Sequence, residues 1–247
     1  MLRLDLPPLP PAEQLAADEV ILDRCEAGDG GETLVFWEPR ETFVVVGYAN
    51  QVATEVNVAA CATTGVPVFR RCSGGGTIVQ MSGGLNYSLI LHIVENSPTR
   101  NISTANQYIM EKNRRAVETL FPISQRPPAG SQLSVRGHTD LCLGEKKFAG
   151  NAQRRRKNFL LFHGTLLLNC DLARIGELLR MPSLQPDYRA HRPHEEFVTN
   201  LNCSAAAVKT ALAQEWNATG KLVSPPLAEI KKLAREKYST NEWNFKF

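Results

Sequence analysis

An α+β fold, with mixed β-sheets flanked by helices, is what this 247-residue sequence predicts. Two observations carry the prediction. Short apolar runs with strand character cluster in residues 33–94 and again in residues 133–168. Helical patterns open the chain, separate the two clusters and fill most of residues 170–237. Strands run together with helices segregated from them, which argues against a doubly wound parallel sheet. At 247 residues, with 43% of them hydrophobic and no low-complexity linker or internal repeat, the chain can form one large domain or two small ones and bury a sizeable core.

The elements follow in order. "PAEQLAADEVILDRCEAG" starts at Pro11 and stops at Gly28, with Leu15, Val20 and Leu22 apolar, so it reads as a helix. "TLVFWEPRETFVVVGY" reads as two strands around a Pro-Arg-Glu turn, the second apolar enough to be buried on both faces. "EVNVAACATTG" is a short helix closed by Gly65, and "VPVFRR" is a strand leading to three consecutive glycines. "TIVQ" and "LNYSLILHIV" are strands. A helix fits residues 103–121, where Ile109, Ala116, Val117 and Leu120 share a face. Three or four strands fit residues 133–168, and two or three helices the stretch 170–237.

Composition excludes several classes. A net charge of +3 is too small for a dedicated nucleic-acid binder, and no apolar run is long enough to span a membrane. The N-terminus lacks the apolar core of a signal peptide. Cys25, Cys61, Cys72, Cys142, Cys170 and Cys203 form no C-x-x-C pair, which argues against a zinc site or a disulfide framework. A cytoplasmic enzyme without a protein-bound metal is expected.

Two stretches carry chemistry. In "RRCSGGGTIVQ" (70–80) no Gly-Lys-Ser/Thr follows the glycines and a strand comes next, so neither a Walker loop nor a dinucleotide fingerprint fits. The glycines are either a tight turn or a nest of backbone donors beside Arg70 and Arg71, suited to a phosphate or carboxylate. In "LGEKKFAGNAQ" (143–153) a turn at Gly144-Glu145 leads into a strand. Strict alternation sends Lys147, Ala149 and Asn151 one way and Lys146, Phe148 and Ala152 the other. In "FLLFHGTLLL" (159–168), His163 and Thr165 share a face with Leu161 and Leu167. Polar groups in so apolar a strand need partners, and His163 can be a satisfied core histidine or part of a site. A lysine beside an anion nest can hold charge developing in acyl or nucleotidyl transfer. The run "RRRK" (154–157) reads as a solvated loop able to meet an acidic partner.

"RRCSGGGTIVQ", "GHTDLCLGEKKFAGNAQ" and "FHGTLLLNCDL", in that order, resemble the lipoate–protein ligase family within the biotin/lipoate ligase fold. "NQVATEVNVAACATTGVPVFRR", "FVTNL" and "STNEWNF" extend the resemblance along nearly the whole chain. It implies a single catalytic domain over residues 1–247 that uses ATP, with Mg2+, to form lipoyl-adenylate from lipoate. The acyl group then passes to a lysine of a lipoyl carrier domain, such as a dehydrogenase E2 subunit or the glycine-cleavage H protein. By position, Arg71, Gly74, Gly75, Gly76, Thr77, Ile78 and Val79 match the ATP-contacting segment. Lys147 matches the lysine that meets both the acyl carbonyl and the phosphate. Candidates around the substrate are Arg70, Ser73, Tyr87, Asp140, Ala149, Gly150, Asn151, His163 and Thr165. A shallow apolar groove near Tyr87 and Leu161 is expected to take the acyl chain.

The sequence departs from the family pattern at Gln80-Met81, where His-Asp is common, and at Thr139, where asparagine often precedes the aspartate. The acyl preference stays open. Many such ligases continue into a small accessory domain, so an end at Phe247 leads to the expectation of a separate accessory protein, or of a carrier that completes the site itself. Residues 154–157 are the expected docking place. Two alternatives stand beside the ligase: an octanoyl- or lipoyl-transferase working through a cysteine thioester, for which neither Cys72 nor Cys142 matches the expected position, and a non-catalytic adenylate-binding protein. Biotin ligation fits less well, since its arginine–glycine loop differs.

Overall fold

The computed structural model describes residues 1–121, 133–221 and 224–247. The elements are β1 (Leu2–Asp5), α1 (Pro11–Ala27), β2 (Thr33–Trp37), β3 (Phe43–Val46), α2 (Val52–Glu55), α3 (Val58–Thr64), β4 (Val68–Arg70), β5 (Ile78–Gln80) and β6 (Gly84–His92). After these come α4 (Ile102–Glu118), β7 (Leu133–Arg136), β8 (Asp140–Leu143), β9 (Lys146–Arg155) and β10 (Phe159–Leu167). The chain then runs through α5 (Ala173–Leu178), α6 (His194–Phe197), α7 (Ala205–Glu215), β11 (Gly220–Lys221), α8 (Leu227–Leu233) and α9 (Asn241–Asn244). Residues 222 and 223, inside the stretch expected to be helical, lie outside the described residues.

The large sheet has the order β11-β1-β2-β6-β10-β9-β8-β7, and a small sheet has the order β4-β3-β5. β2 and β3, expected around one turn, therefore belong to different sheets. The Pro39 turn crosses between layers instead of closing a hairpin. β1, unassigned from sequence, pairs in parallel with β2 and β11 at one end of the large sheet.

Both faces of the large sheet are covered, which is why β2, β6 and β10 read as near-continuous apolar runs. On one face Leu34, Phe36, Leu89 and Phe162 pack against Ile109 and Val117 of α4 and Val208 and Leu212 of α7. On the other, Val35, Trp37, Ile90 and Leu161 pack against Leu15, Leu22 and Ile21 of α1 and Ile230 of α8. Alternate residues of one strand serve opposite cores, as the two-residue period of a strand requires. The small sheet packs Val44, Val46 and Val79 against Ile175 and Leu178 of α5 and Phe197 of α6.

Arg70, at the end of β4, is wholly buried. Its guanidinium donates to the carbonyls of Gly47 (2.9 Å), Tyr48 (3.0 Å), Asn50 (2.8 Å), Trp243 (3.1 Å) and Asn244 (3.1 Å). One side chain thus ties the turn after β3 to α9. Arg70→Met is expected to leave these carbonyls unpaired and lower unfolding free energy by about 3 kcal/mol or more, since each buried polar group left alone costs about 1–3 kcal/mol. Urea denaturation measures this; a loss below about 1 kcal/mol would mean that the carbonyls find other donors.

Candidate active site

The next residue, Arg71, turns the other way. It is 7% exposed, and its guanidinium donates to the carbonyls of Gly74 (2.6 Å) and Gly76 (2.7 Å) and to Ser73 Oγ (3.0 Å). The glycine loop is thereby wound around the cation. Burial pulls the Arg71 pKa down to about 10, and among the described residues no carboxylate pairs with it. Gly75 holds φ +87°, and a Cβ there would meet Arg71 Nη2 at 3.0 Å, so the loop needs glycine at this position. A Cβ on Gly74 or Gly76 would meet nothing within 4 Å, and Gly76 lines the adjoining cavity.

Lys147 enters the same cavity from the large sheet. Its Nζ lies 2.7 Å from Asp140 Oδ1, and Asp140 Oδ2 accepts from the Tyr188 hydroxyl at 2.7 Å. β8 pairs Leu141 with Ala149 but Cys142 with Lys147, leaving Phe148 as an extra residue. This is a β-bulge, and it breaks the expected alternation. Phe148 and Ala149 both enter the core, while Gly150 and Ala152 line the cavity with Lys147. A Cβ on Gly150 would lie 2.7 Å from Lys147 Cε and Nζ, so glycine lets the lysine lie along its own strand.

Polar networks frame the cavity. The Tyr87 hydroxyl donates to Asn151 Oδ1 (2.5 Å) and accepts from Asn113 of α4 (2.6 Å), whose Oδ1 accepts from Trp216 Nε1 (2.8 Å). Burial holds the Tyr87 phenol far above its usual pKa. Asn151 Nδ2 donates to the Thr139 carbonyl (2.7 Å), and Thr139 Oγ1 returns a bond to the Asn151 carbonyl (2.9 Å). Gln80, Asn86 and Thr165 form a closed buried trio, with Gln80 Nε2 donating to Asn86 Oδ1 at 2.7 Å and to Thr165 Oγ1 at 2.9 Å. His163 Nδ1 lies 2.6 Å from Asp18 Oδ2, and its Nε2 lies 2.5 Å from Ser73 Oγ. Leu15, Trp37, Val45 and Ile78 supply the apolar part of the lining.

Of the residues singled out from sequence, Arg71, Gly76, Thr77, Ile78, Tyr87, Lys147, Gly150, Asn151, His163 and Thr165 meet around this one cavity. Others stand elsewhere. Arg70 is committed to core carbonyls, and Ala149 is 1% exposed in the core because the bulge turns it there. The Val79 side chain belongs to the small-sheet core, and Leu161 packs under α1. Ser73, Gly74, Gly75 and Asp140 stand behind the lining, bonded to or packed on the residues that form it. The basic run is not a solvated loop, since Arg154 and Arg155 end β9. Arg154 bonds the Cys72 carbonyl (2.6 Å), Arg155 the Thr99 carbonyl (2.8 Å) and Arg156 pairs with Asp23 (2.6 Å), leaving Lys157 exposed. Asp18, Asn86 and Asn113 were not foreseen. Asp18 has a sequence signal, since Leu15, Asp18, Glu19 and Leu22 share one helical stripe.

Residues 10–216 match the family model described as the lipoyl protein ligase A/B catalytic domain. The chain belongs to this family. Similar relatives include lipoate-protein ligase A subunit 1 of Thermoplasma acidophilum, 26% identical and aligned over 93% of this chain and 90% of that protein. Octanoyltransferase LipM of Geobacillus kaustophilus is 25% identical over 96% of this chain and 95% of its own length. A solved lipoate-protein ligase A bound with ATP superposes with a TM-score of 0.78, at 25% identity, over 99% of this chain and 98% of that one. Relatives named as ligases and relatives named as transferases are thus similar to this chain along nearly its whole length.

The glycine loop makes a prediction that needs no substrate. Gly75→Ala is expected to lower stability by about 1–2 kcal/mol, the cost of a left-handed backbone for an L-residue, with crowding of Arg71 added. Gly74→Ala should stay within about 0.5 kcal/mol of the parent. Equal losses in urea titrations of the two variants would refute the assignment of the strained position.

Proposed function

We propose that this chain catalyses ATP-dependent ligation of lipoate, through lipoyl-adenylate, to a lysine of a lipoyl carrier domain. The observation that carries the reading is a single cavity with apolar Leu15, Trp37, Val45 and Ile78 in its lining and two cations, Arg71 and Lys147, in the same lining. An acyl-adenylate has that duality: an apolar chain joined to an anionic phosphate.

In the first step a carboxylate oxygen of lipoate attacks the α-phosphorus of ATP, and the bond to pyrophosphate breaks. Arg71 and the open backbone at Gly76 and Thr77 face the charge that accumulates there. In the second step the carrier's ε-amine attacks the acyl carbonyl, a C–N bond forms, AMP leaves with the C–O bonding pair and the amine sheds a proton. Lys147 polarises the carbonyl and holds the phosphate. Preorganised charge of this kind acts without reorganisation at the moment of reaction. Among the described residues no cluster of His, Cys, Asp or Glu could hold a metal ion. The magnesium expected with ATP would bridge the phosphates and offset their charge.

The transferase relative keeps a second reading in view. Against it, among the described residues no cysteine lines the cavity. Burial pushes the Cys72 thiol up to about 11 and raises that of Cys142, the reverse of what a nucleophilic thiolate requires. Carrier and accessory partners belong to the same proposal. The Thermoplasma relative is named as one subunit, and a solved Thermoplasma acidophilum structure, 23% identical, is described as a bi-partite ligase and its E2 lipoyl domain. A separate accessory protein fits that pattern. No described helix is long and apolar enough to cross a membrane.

The deciding experiment incubates the protein with ATP, lipoate and an apo lipoyl domain and reads the carrier's mass. A gain that requires ATP supports the ligase; a gain only from an acylated carrier supports the transferase. Lys147→Ala is expected to reduce pyrophosphate release by about 10²–10³-fold, and Gly150→Ala to reduce it by displacing the lysine. Lys146→Ala, on the exposed side, should be neutral. The double variant Cys72→Ser, Cys142→Ser should keep ATP-dependent ligation. An acyl-thioester trapped on the parent protein would overturn the ligase assignment.

A further inference from the structure

We propose that Asp18 and Glu19, consecutive residues of α1, are positioning residues that hold the first turn of the glycine loop, each through one intermediate side chain. The kinetic part of this inference rests on the ligase reading; the structural part does not.

The first strap runs from Asp18 through His163 to Ser73. A carboxylate only accepts, so His163 Nδ1 donates to Asp18 Oδ2 at 2.6 Å. Asp18 Oδ1 meanwhile accepts from the Ser88 hydroxyl at 2.6 Å. In the neutral ring Nε2 is then an acceptor, and it takes the Ser73 hydroxyl at 2.5 Å. Ser73 Oγ in turn accepts from Arg71 Nε at 3.0 Å. Every group is satisfied in one direction, so a carboxylate on α1 sets the orientation of the serine that steadies the Arg71 fork.

The second strap runs from Glu19 through Arg154 to Cys72. Glu19 is 5% exposed and bonded by Lys237 (2.6 Å) and Tyr238 (2.7 Å), and Arg154 Nη2 lies 3.4 Å from its Oε1. Arg154 Nη1 reaches on to the Cys72 carbonyl at 2.6 Å. Burial pushes the Glu19 carboxyl upward, but Lys237 and Tyr238 more than offset it and hold the group below its usual pKa. Adjacent acids on one helix therefore grip adjacent residues of the loop, one by side chain and one by backbone.

Serine, histidine and aspartate in this order also occur as a nucleophilic triad. Here Ser73 is 1% exposed and absent from the cavity lining, which leaves a reacting carbonyl no place beside Oγ. The array holds a loop.

The test uses Asp18→Asn, Arg154→Met, Ser73→Ala and the double variant of Asp18→Asn with Ser73→Ala. Arg154→Met spares Glu19 and its bonds to Lys237 and Tyr238, so it remains informative should changes at Glu19 prevent folding. Without substrate, amide hydrogen exchange at residues 72–76 should rise about tenfold in Asp18→Asn and in Arg154→Met, with exchange in α4 unchanged. With substrates, Asp18→Asn should raise the KM for ATP about tenfold with a smaller change in kcat, and should add nothing in the Ser73→Ala background, because residues acting through one another are not additive. Unchanged loop exchange would overturn the proposal. So would a full Asp18 effect persisting without Ser73, which would mark direct contact with substrate, or labelling of Ser73 by a fluorophosphonate, which would mark a nucleophile. Raised loop exchange in a protein with no ATP-dependent chemistry would sink the ligase reading and leave the straps standing.

Discussion

A guanidinium enclosed by five carbonyl oxygens fixes where the glycine loop begins. Arg70 sits at the end of β4, and its donors are spent on the turn after β3 and on α9, segments more than 150 residues apart in the chain. A buried cation is costly unless its hydrogen bonds are complete. Here they are completed only when the small sheet, the turn and the C-terminal helix are assembled together. With Arg70 pinned, its neighbour must project to the opposite side of the strand, and that side is the cavity.

From this anchor the site is built out of parts that belong to different layers. Arg71 leaves the small sheet, Lys147 comes from the large one, and α1 reaches between them through His163 and Arg154. No single element holds both cations. The charge pattern of the cavity is therefore a product of sheet docking, and the apolar contacts of Trp37 and Val45 under α1 help to set the spacing of the charges above them.

Much of this was legible in the sequence. Strands β2 to β10 and α1, α3 and α4 stand where apolar period and glycine stops place them, whereas β1 was unassigned and the stretch 170–237, expected to hold two or three helices, holds four among its described residues, with β11 between them; the motif residues Arg71, Gly76, Lys147, Asn151 and His163 do converge. Arg70 was misread because a pair of arginines beside glycines looks alike on both members; which one faces inward depends on the phase of a three-residue strand. Ala149 was misread because strict alternation cannot register an extra residue. The basic run looked solvated because its partners, Glu19, Thr99 and Asp23, are distant in sequence. Asp18 carried a signal in its helical stripe, and an acid on an apolar face is informative because burying it demands a partner.

The bulge at Phe148 gives β9 something like a reading frame. Upstream of it Lys147 faces the cavity; downstream Gly150 does, three residues on where plain alternation would allow two. Point substitutions along the strand leave that phase intact, even where, as at Lys147 and Gly150, they change the site itself. Loss of a single residue between Lys147 and Gly150 would remove the bulge and restore plain alternation, keeping the lysine and Gly150 on one face but leaving only one residue between them to enter the core. The extra residue in this stretch therefore serves the core, where Phe148 and Ala149 both pack, while the cavity keeps its lysine and its glycine on either side of it.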